Sequence, residues 1–314
     1  MRVKAAMSAV VLTATVSLAA CSLTACSTGG TAPAGGGGGA TAEHTDDISA
    51  GVQPDPAAVA LLPADVKAKG TLVAAEDLTS PPTTFMASDN KTPIGFNPDI
   101  ARLIAAKLGL KLDIKNVKFD VIIPGLQGNR YDLTVSTMGT SAERLKVLDM
   151  IDYFTNGSTV ATAHGNPKHL AMDSLCGATL GVQSGSTQEL KWLPKLNQEN
   201  CVGKGKDPIK AVSLPSVSDA LTQVASRRID GVFYDATSLN WAKTKQPGAF
   251  DVLEPVLNPL PVAVALNLNS PLTPAVQAAL QSVIDSPKYQ EALSRWGFTG
   301  LGVTKAARSK PQPK

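Results

Sequence analysis

Residues 131–154, YDLTVSTMGTSAERLKVLDMIDYF, decide the fold, because a strand pattern here passes directly into helical spacing. Residues 133–137 alternate apolar and β-branched side chains, which predicts a strand. Thr140 stands three residues before a glutamate, the spacing of a capping box, so a helix is expected to begin near Thr140 or Ser141. Arg144 then lies in the first helical turn, where the helix dipole disfavours a cation.

A cation at a strand-to-helix turn points to an anion site. Free backbone N–H groups and a guanidinium converge there. A cation in the first turn of a helix goes against the helix dipole, and such exceptions occur most often at functional sites. Arg144 therefore predicts a site for a carboxylate. The alternative is a surface arginine that pairs with Glu143 or Asp149.

Composition indicates a soluble globular body and argues against nucleic-acid binding. The chain of 314 residues is 43% hydrophobic and 18% charged, and it is long enough for two domains. Six of its 29 Lys and Arg lie at the two ends, so the rest of the chain has 23 basic and 26 acidic residues. With only 4% aromatic residues, neither a polyanion footprint nor a base-stacking surface is present.

The N-terminus has the pattern of an exported lipoprotein. Arg2 and Lys4 precede an uncharged apolar run over residues 5–20, too short for a membrane span and typical of a secretory signal. Cys21 and Cys26 each follow small residues, as in the bacterial lipobox. The length of the run favours Cys21, whereas lipidation of Cys26 leaves an even number of other cysteines.

The composition predicts these divisions of the chain. They are a lipoprotein signal peptide over 1–25, a flexible Gly/Ala/Thr tether over 26–50, lobe 1 over 70–160 and 260–304, lobe 2 over 161–259, and a disordered basic tail over 305–314. The protein is thus expected at the cell membrane, lipid-anchored on the extracytoplasmic face.

Strand and helix patterns alternate in both lobes, which predicts an α/β fold with mainly parallel sheets flanked by helices. The helix after Asn97 is expected to use that residue as its N-cap, with Pro98 next and Gly109 past its end. Lobe 2 is an insertion, so the chain crosses between lobes near Thr159 and near Leu260. Two crossings predict a hinge.

Cys176 and Cys201 flank the first unit of lobe 2. In an exported protein a disulfide is the expected state of such a pair. A zinc site is the alternative, although His44, His164 and His169 do not have metal-ligand spacing. No metal and no cofactor is expected.

Two further strand ends lead into helices in lobe 2. Residues 181–189, GVQSGSTQE, place hydroxyls at a helix start, and residues 228–235, RIDGVFYD, end on Asp235. Asp235 by itself is explained equally well as an N-cap. Paired with Arg144 from lobe 1, however, it supplies the anion and cation sites that an α-amino acid zwitterion requires.

In sequence order these motifs resemble those of the family 3 bacterial extracellular solute-binding proteins, the amino-acid-binding components of ABC importers. The resemblance runs from about Gly70 to Val303, and Cys176 and Cys201 look like the disulfide of actinobacterial lipoprotein members. The matching motifs are GFNPDIA with its LGL turn, FD with IIPGLQ, the 131–144 block, GVQSGSTQE, RIDGVFYD and the helix over 289–297.

The resemblance implies a role for each matched residue. Arg144 holds the ligand carboxylate, and Asp235 holds its amine. Further contacts to the carboxylate are implied for Thr137, Gly139 and Thr187, and contacts to the ligand side chain for Phe119, Asp77, Ser80, Ser136 and Gln188. Two of these residues depart from the family pattern. Ser80 stands where many members have an aromatic ring, and Gly139 where a hydroxyl is usual.

The expected function is therefore binding without chemistry. The implied partners are a polar amino acid, ABC permease subunits and, through the N-terminal lipid, the membrane; no nucleic acid is implied, and a monomer is expected. One alternative is a ligand-binding sensor or accessory lipoprotein without a transporter. Another is an enzyme on the same fold, such as a dehydratase, but no catalytic motif supports it.

Overall fold

The computed structural model describes residues 43–310. Its strands are β1 (Thr71–Glu76), β2 (Thr79–Ser80), β3 (Thr84–Met86), β4 (Pro93–Ile94), β5 (Lys111–Asn116), β6 (Leu133–Gly139), β7 (Leu148–Ala163), β8 (Thr179–Gln183), β9 (Lys210–Leu214), β10 (Gly231–Asp235), β11 (Phe250–Val252) and β12 (Leu257–Asn267). Its helices are α1 (Pro56–Ala60), α2 (Ala64–Lys69), α3 (Phe96–Leu108), α4 (Ile122–Gln127), α5 (Leu193–Asn200), α6 (Val217–Ala225), α7 (Ala236–Lys245), α8 (Thr273–Ile284) and α9 (Pro287–Arg295). Across this part of the chain, every helix is too short or too polar to span a bilayer.

One continuous sheet runs through both lobes in the order β5-β1-β6-β12-β7-β10-β8-β9, with β11 beside β7. The pairs β5-β1-β6 are parallel in lobe 1, and β10-β8-β9 are parallel in lobe 2. The predicted α/β class with mainly parallel sheets is confirmed. The ligand-facing edges are expected at the carboxyl ends of these strands.

The apolar cores lie on both faces of the sheet. In lobe 1, α3 and α8 cover one face through residues such as Ile104 and Leu280, while α4 covers the other through Ile122. Successive residues of β1 point to opposite faces of the sheet. Ala74 packs in the core under α3 and α8, and Ala75 packs in the core under α4. Lobe 2 has its own pair of clusters.

The two long strands β7 and β12 carry the chain between the lobes. β7 pairs with β12 from Leu148 to Ser158, and β10 joins its other edge from Ser158 onward, next to Gly157. A Cβ on Gly157 would lie 2.3 Å from Val256 Cγ1. A residue without a side chain therefore allows the two crossing segments to pass close together.

The helix predicted after residue 140 is wrong. The chain instead makes a 3₁₀ turn over Arg144–Lys146, and β7 begins at Leu148. Leu148 and Met150 are buried and pair with β12. Burial of these side chains against a neighbouring strand outweighs the local helical spacing, as tertiary packing often does. The turn is fixed by Ser141, whose Oγ accepts from the Arg144 backbone N–H at 3.2 Å.

The predicted N-cap of α3 is also wrong. The helix begins at Phe96 with Gly95 at the N-cap, and Asn97 is completely buried inside the first turn. A Cβ at position 95 would lie 2.4 Å from the Thr83 carbonyl oxygen, so only glycine fits this approach.

Parts of the predicted tether and tail belong to the folded body. The signal peptide, Cys21, Cys26 and most of the predicted tether lie outside the described residues, as do residues 311–314. Within 43–50, however, Ile48 is buried in the lobe 1 core. Within 305–310, Ala306 is buried and Arg308 pairs with Asp149 at 2.7 Å. The tether and tail predictions are therefore wrong for residues 43–50 and 305–310.

Cys176 and Cys201 form the predicted disulfide. Cys201 is fully buried in a lobe 2 core cluster. The bond closes a loop of 25 residues, which stabilises the folded state by about 3 kcal/mol in the chain-entropy picture.

Candidate functional site

A small cavity lies where the strand ends of the two lobes face each other, and its volume is about 30 Å³. Its walls come from lobe 1, from lobe 2 and from the crossing strands. These residues are Phe119, Thr137, Gly139, Asn156, Ser158, Gln183, Ser186, Thr187, Gln188, Trp192, Tyr234, Asp235, Leu260 and Val262. A space of this size holds roughly two water molecules. An amino acid therefore enters only if the walls move apart.

Arg144 lies against this cavity and bridges the lobes. Its Nη1 donates to the Gly139 carbonyl at 2.6 Å and to Thr187 Oγ1 at 2.9 Å, and its Nη2 donates to the Gly185 carbonyl at 2.9 Å. The guanidinium also stacks over the Phe119 ring, 5.6 Å from its centroid. Burial lowers the pKa of Arg144 to about 10, so the side chain remains a cation at neutral pH. The predicted anion site thus contains a buried, fully oriented cation.

Asp235 ends β10 on the opposite side of the cavity. It occupies the N-cap position of α7, but its side chain makes no capping hydrogen bond. The carboxylate instead accepts from Gln188 Nε2 at 2.7 Å, and the same amide donates to Ser158 Oγ at 3.0 Å. Burial raises the pKa of Asp235 to about 7, although Gln188 and Arg144 oppose the shift. Helix capping therefore does not explain this side chain.

A polar chain joins the lobes at another end of the site. Asp77 accepts from Gln183 Nε2 at 2.7 Å and from Thr79 Oγ1 at 2.6 Å. Tyr234 O–H donates to Gln183 Oε1 at 2.8 Å, and the Tyr234 hydroxyl lies 3.1 Å from Ser80 Oγ. Burial raises the pKa of Asp77, and its hydrogen bonds oppose that shift. Lobe 2 therefore places an aromatic residue beside Ser80, where lobe 1 lacks one.

The structure brings most of the predicted site residues together at the cavity. Those on its wall are Phe119, Thr137, Gly139, Thr187, Gln188 and Asp235. Arg144, Asp77 and Ser80 lie immediately behind, each bonded to a wall residue. Ser136 is further back, where its hydroxyl accepts from the Asp77 backbone N–H at 3.0 Å. Ser136 thus supports Asp77, and its contact with a ligand side chain stays a prediction.

Sequence reasoning missed several wall residues. Gln183 and Tyr234 belong to the quoted motifs and directly precede segments that were assigned roles, so their positions at strand ends were the available signal. Asn156, Ser158 and Leu260 lie on the crossing strands. No local pattern marks them, because their place at the cavity depends on how the two lobes meet.

The glycine at position 139 fits its surroundings in this structure. A Cβ there would lie 3.1 Å from Thr187 Oγ1, tighter than an ordinary contact. The Thr187 hydroxyl thus takes the space next to the Arg144 guanidinium that a side chain on residue 139 would need. Where a hydroxyl is expected on residue 139, this protein has glycine, and Thr187 of lobe 2 supplies a hydroxyl beside Arg144 instead.

Comparison with known proteins identifies the class of protein to which this fold and site belong. The family model of bacterial extracellular solute-binding proteins, family 3, matches residues 72–299, so the chain belongs to that family. The arginine-binding protein ArgT of Corynebacterium glutamicum is 29% identical over 78% of this chain and 80% of its own length. ABC transporter arginine-binding protein 1 of Escherichia coli is 27% identical over 69% of this chain and 87% of its own length.

A solved structure agrees with this assignment. The structure of an ancestral arginine-binding protein bound to arginine has a TM-score of 0.66 and 29% identity, covering 72% of this chain and 98% of that chain. The chain is therefore a substrate-binding subunit of the amino-acid ABC importer class. The family and these similar proteins are solute-binding proteins, which confirms the expectation that the chain is not an enzyme.

Proposed function

We propose that this protein captures a cationic amino acid, with arginine as the first candidate, between its two lobes and delivers it to an ABC permease. The observation that carries the proposal is the charge balance of the site. Arg144 contributes one positive charge, whereas Asp77 and Asp235 supply two acids from opposite lobes. A ligand with a carboxylate, an ammonium and a cationic side chain matches all three groups, which leaves no buried charge unpaired.

Each charged group is assigned one part of the ligand. Arg144 binds the α-carboxylate through a bidentate pair, which replaces its present carbonyl acceptors at Gly139 and Gly185. Asp235 accepts the α-ammonium in place of the Gln188 amide. Both exchanges conserve the number of charge-assisted hydrogen bonds.

Asp77 is assigned the cationic end of the ligand side chain. At present one of its oxygens is held by the Gln183 amide from lobe 2. A ligand guanidinium or ammonium takes that oxygen when Gln183 moves aside. Phe119, whose ring already stacks on a guanidinium, packs against the aliphatic part of the ligand. The relatives that are named as arginine-binding proteins support this choice of ligand.

Capture requires the lobes to separate and close again. The strands β7 and β12 cross between the lobes and pass close together at Gly157, so we expect the hinge there. Hydrogen bonds across the cavity, such as Arg144 to Thr187, stabilise the closed arrangement that a permease recognises. We expect the protein to work as a monomer.

We further propose that the mature chain is held at the outer face of the cell membrane by a lipid on Cys26, with Cys21 as the alternative. The small residues before each cysteine support lipidation. Mass spectrometry of the protein from its native membrane tests this, because the lipidated N-terminal peptide begins at the modified cysteine. An N-terminal peptide that carries no acyl chain would contradict the anchor.

The ligand is tested with the soluble chain from residue 27 onward. Thermal-shift screening against the common amino acids is expected to show the largest stabilisation with arginine, lysine or ornithine. Calorimetry then compares arginine with citrulline, a neutral molecule of nearly the same shape. Equal affinities would contradict the role of Asp77, and a protein stabilised by no amino acid would contradict the whole proposal.

A further inference from the structure

Thr137 has an unusual backbone for its residue type. It lies near the end of β6 on the cavity wall with a φ of 49°, in the left-handed region. A β-branched side chain rarely adopts this conformation, because its Cβ substituents crowd the backbone. Such a residue persists only where its surroundings hold it in place, and this happens most often at functional sites.

The side chain of Asn97 is what holds Thr137. Asn97 is completely buried, and its Nδ2 donates to Thr137 Oγ1 at 2.8 Å and to Thr84 Oγ1. Its Oδ1 accepts from Tyr153 O–H at 2.5 Å. Both amide N–H groups are thus used on threonine hydroxyls, and the carbonyl oxygen is held by a tyrosine.

The chemistry of an amide fixes the direction of these hydrogen bonds. A side-chain NH₂ group donates and does not accept, so the Thr137 oxygen is the acceptor toward Asn97. The Thr137 hydroxyl therefore keeps its own proton to donate elsewhere. Thr137 also interacts with Tyr153, whose own hydroxyl proton is donated to Asn97 Oδ1, and it lines the cavity.

The position of that proton matters because of Gly139. Residue 139 supplies no hydroxyl to this wall, whereas Thr137 and Thr187 both line the cavity. A neutral hydroxyl that must donate is a good partner for a carboxylate, and such charge-assisted bonds are stronger than neutral ones.

We propose that Asn97 is a positioning residue that turns the Thr137 hydroxyl into a hydrogen-bond donor for the ligand α-carboxylate. The inference rests on the proposed function, in which that carboxylate lies against Arg144. Asn97 acts only through Thr137, because its own amide is buried behind the cavity wall. It also accounts for the buried asparagine of the GFNPD motif, which does not cap its helix.

The test is a set of three matched substitutions in the otherwise intact protein. Thr137→Val removes the hydroxyl and keeps the shape, and it is expected to weaken arginine binding about 10- to 100-fold. Asn97→Asp keeps the shape but replaces the donor with an acceptor, so the Thr137 proton is drawn away from the ligand and a similar loss is expected. Thr84→Val removes the other hydroxyl bonded to the same amide. Because Thr84 does not line the cavity, this control is expected to leave affinity unchanged.

Combining the substitutions separates positioning from a general structural effect. If Asn97 acts through Thr137, Asn97→Asp adds no further loss in a Thr137→Val background. Arginine methyl ester, which has no carboxylate charge, is expected to bind wild type and Thr137→Val with nearly the same affinity. Thermal unfolding of each variant without ligand verifies that it is folded, and the Thr137→Val and Thr84→Val pair suffices if Asn97→Asp does not fold.

Three results would overturn the inference while leaving the proposed function intact. They are wild-type affinity in Thr137→Val, an equal loss in Thr84→Val, and losses from Asn97→Asp and Thr137→Val that simply add. If the wild type binds another α-amino acid more tightly than arginine, the same comparison is made with that ligand. Absence of binding to any amino acid by the wild type would overturn the inference together with the proposed function.

Discussion

Glu76 is the last residue of β1 and Asp77 directly follows it, yet they lie in opposite environments. Glu76 points into the lobe 1 core, where it is fully buried and neither carboxyl oxygen has a hydrogen-bond partner among residues 43–310. Asp77 points toward lobe 2 and accepts from Gln183 and Thr79. Burial raises the pKa of both acids, and that of Glu76 is raised well above its usual value.

The difference shows what distinguishes a binding site from a buried charge. Every charged group at the cavity has oriented partners: Arg144 has three acceptors, and Asp77 and Asp235 accept side-chain amides. A ligand can exchange for those partners at little cost. Within the described part of the chain, Glu76 has no hydrogen-bond partner to exchange, and burial favours its neutral form. Substitutions on the cavity side should therefore change affinity, and substitution of Glu76 should change stability.

The largest effect is expected from Arg144→Ala. Removal of one partner of a buried charge pair costs about 2–5 kcal/mol, roughly a thirtyfold to several-thousandfold loss of affinity. Calorimetry with the best ligand measures the loss, and thermal unfolding verifies that the variant is folded. Unchanged affinity would remove Arg144 from the site.

A smaller and more selective effect is expected from Asp77→Asn. The amide no longer pairs with a cationic side chain, so arginine should bind about 10- to 150-fold more weakly, the value of a charged hydrogen bond. Citrulline, which brings no charge to this position, should bind the wild type and the variant with similar affinity. If both ligands lose affinity equally, Asp77 serves the structure of the site and not its selectivity.

The affinity should also depend on pH through Asp235. Its pKa is about 7 in the protein because burial disfavours the charged form, whereas the ligand ammonium requires a carboxylate. Below pH 7 binding must release a proton, so affinity is expected to fall by about tenfold per pH unit as the pH decreases. Calorimetry from pH 5.5 to 8 measures this slope. Asp235→Asn should bind weakly with a flatter profile, and a flat wild-type profile would contradict the assignment.

The smallest effect is expected from Glu76→Gln, which should change the stability of the protein and not its affinity for the ligand. Because the folded-state pKa is raised, folding takes up a proton above about pH 4.5, and wild-type stability falls as the pH rises toward the folded pKa. Glutamine cannot ionise, so the variant should be more stable at pH 8 and nearly equal to wild type at pH 4. For a chain of this size, each 1 kcal/mol gained raises the Tm by roughly 2–4 °C. A large loss of ligand affinity in this variant would break the comparison with Asp77.

The sequence predicts the charged anchors better than their local structure. Arg144 and Asp235 are recognisable because each follows a strand, and strand ends in an α/β fold meet at one edge. The predicted helix around Arg144 fails, since pairing of β7 with β12 depends on residues more than a hundred positions away. Asn97 fails as an N-cap for a similar reason: its partners Thr84, Thr137 and Tyr153 are scattered along the chain.

By itself, the sequence determined the α/β class, most of the order of strands and helices, the disulfide pair and the family motifs. These depend on side-chain periodicity and on local spacing, which a linear chain retains. Only the tertiary structure decided that Gln183 and Tyr234 face Asp77 and Ser80 from the opposite lobe. Only the tertiary structure also distinguishes Asp77 from Glu76. The partners of Asp77 come from the loop after β1 and from lobe 2, whereas the fold brings no hydrogen-bond partner to Glu76 among the described residues.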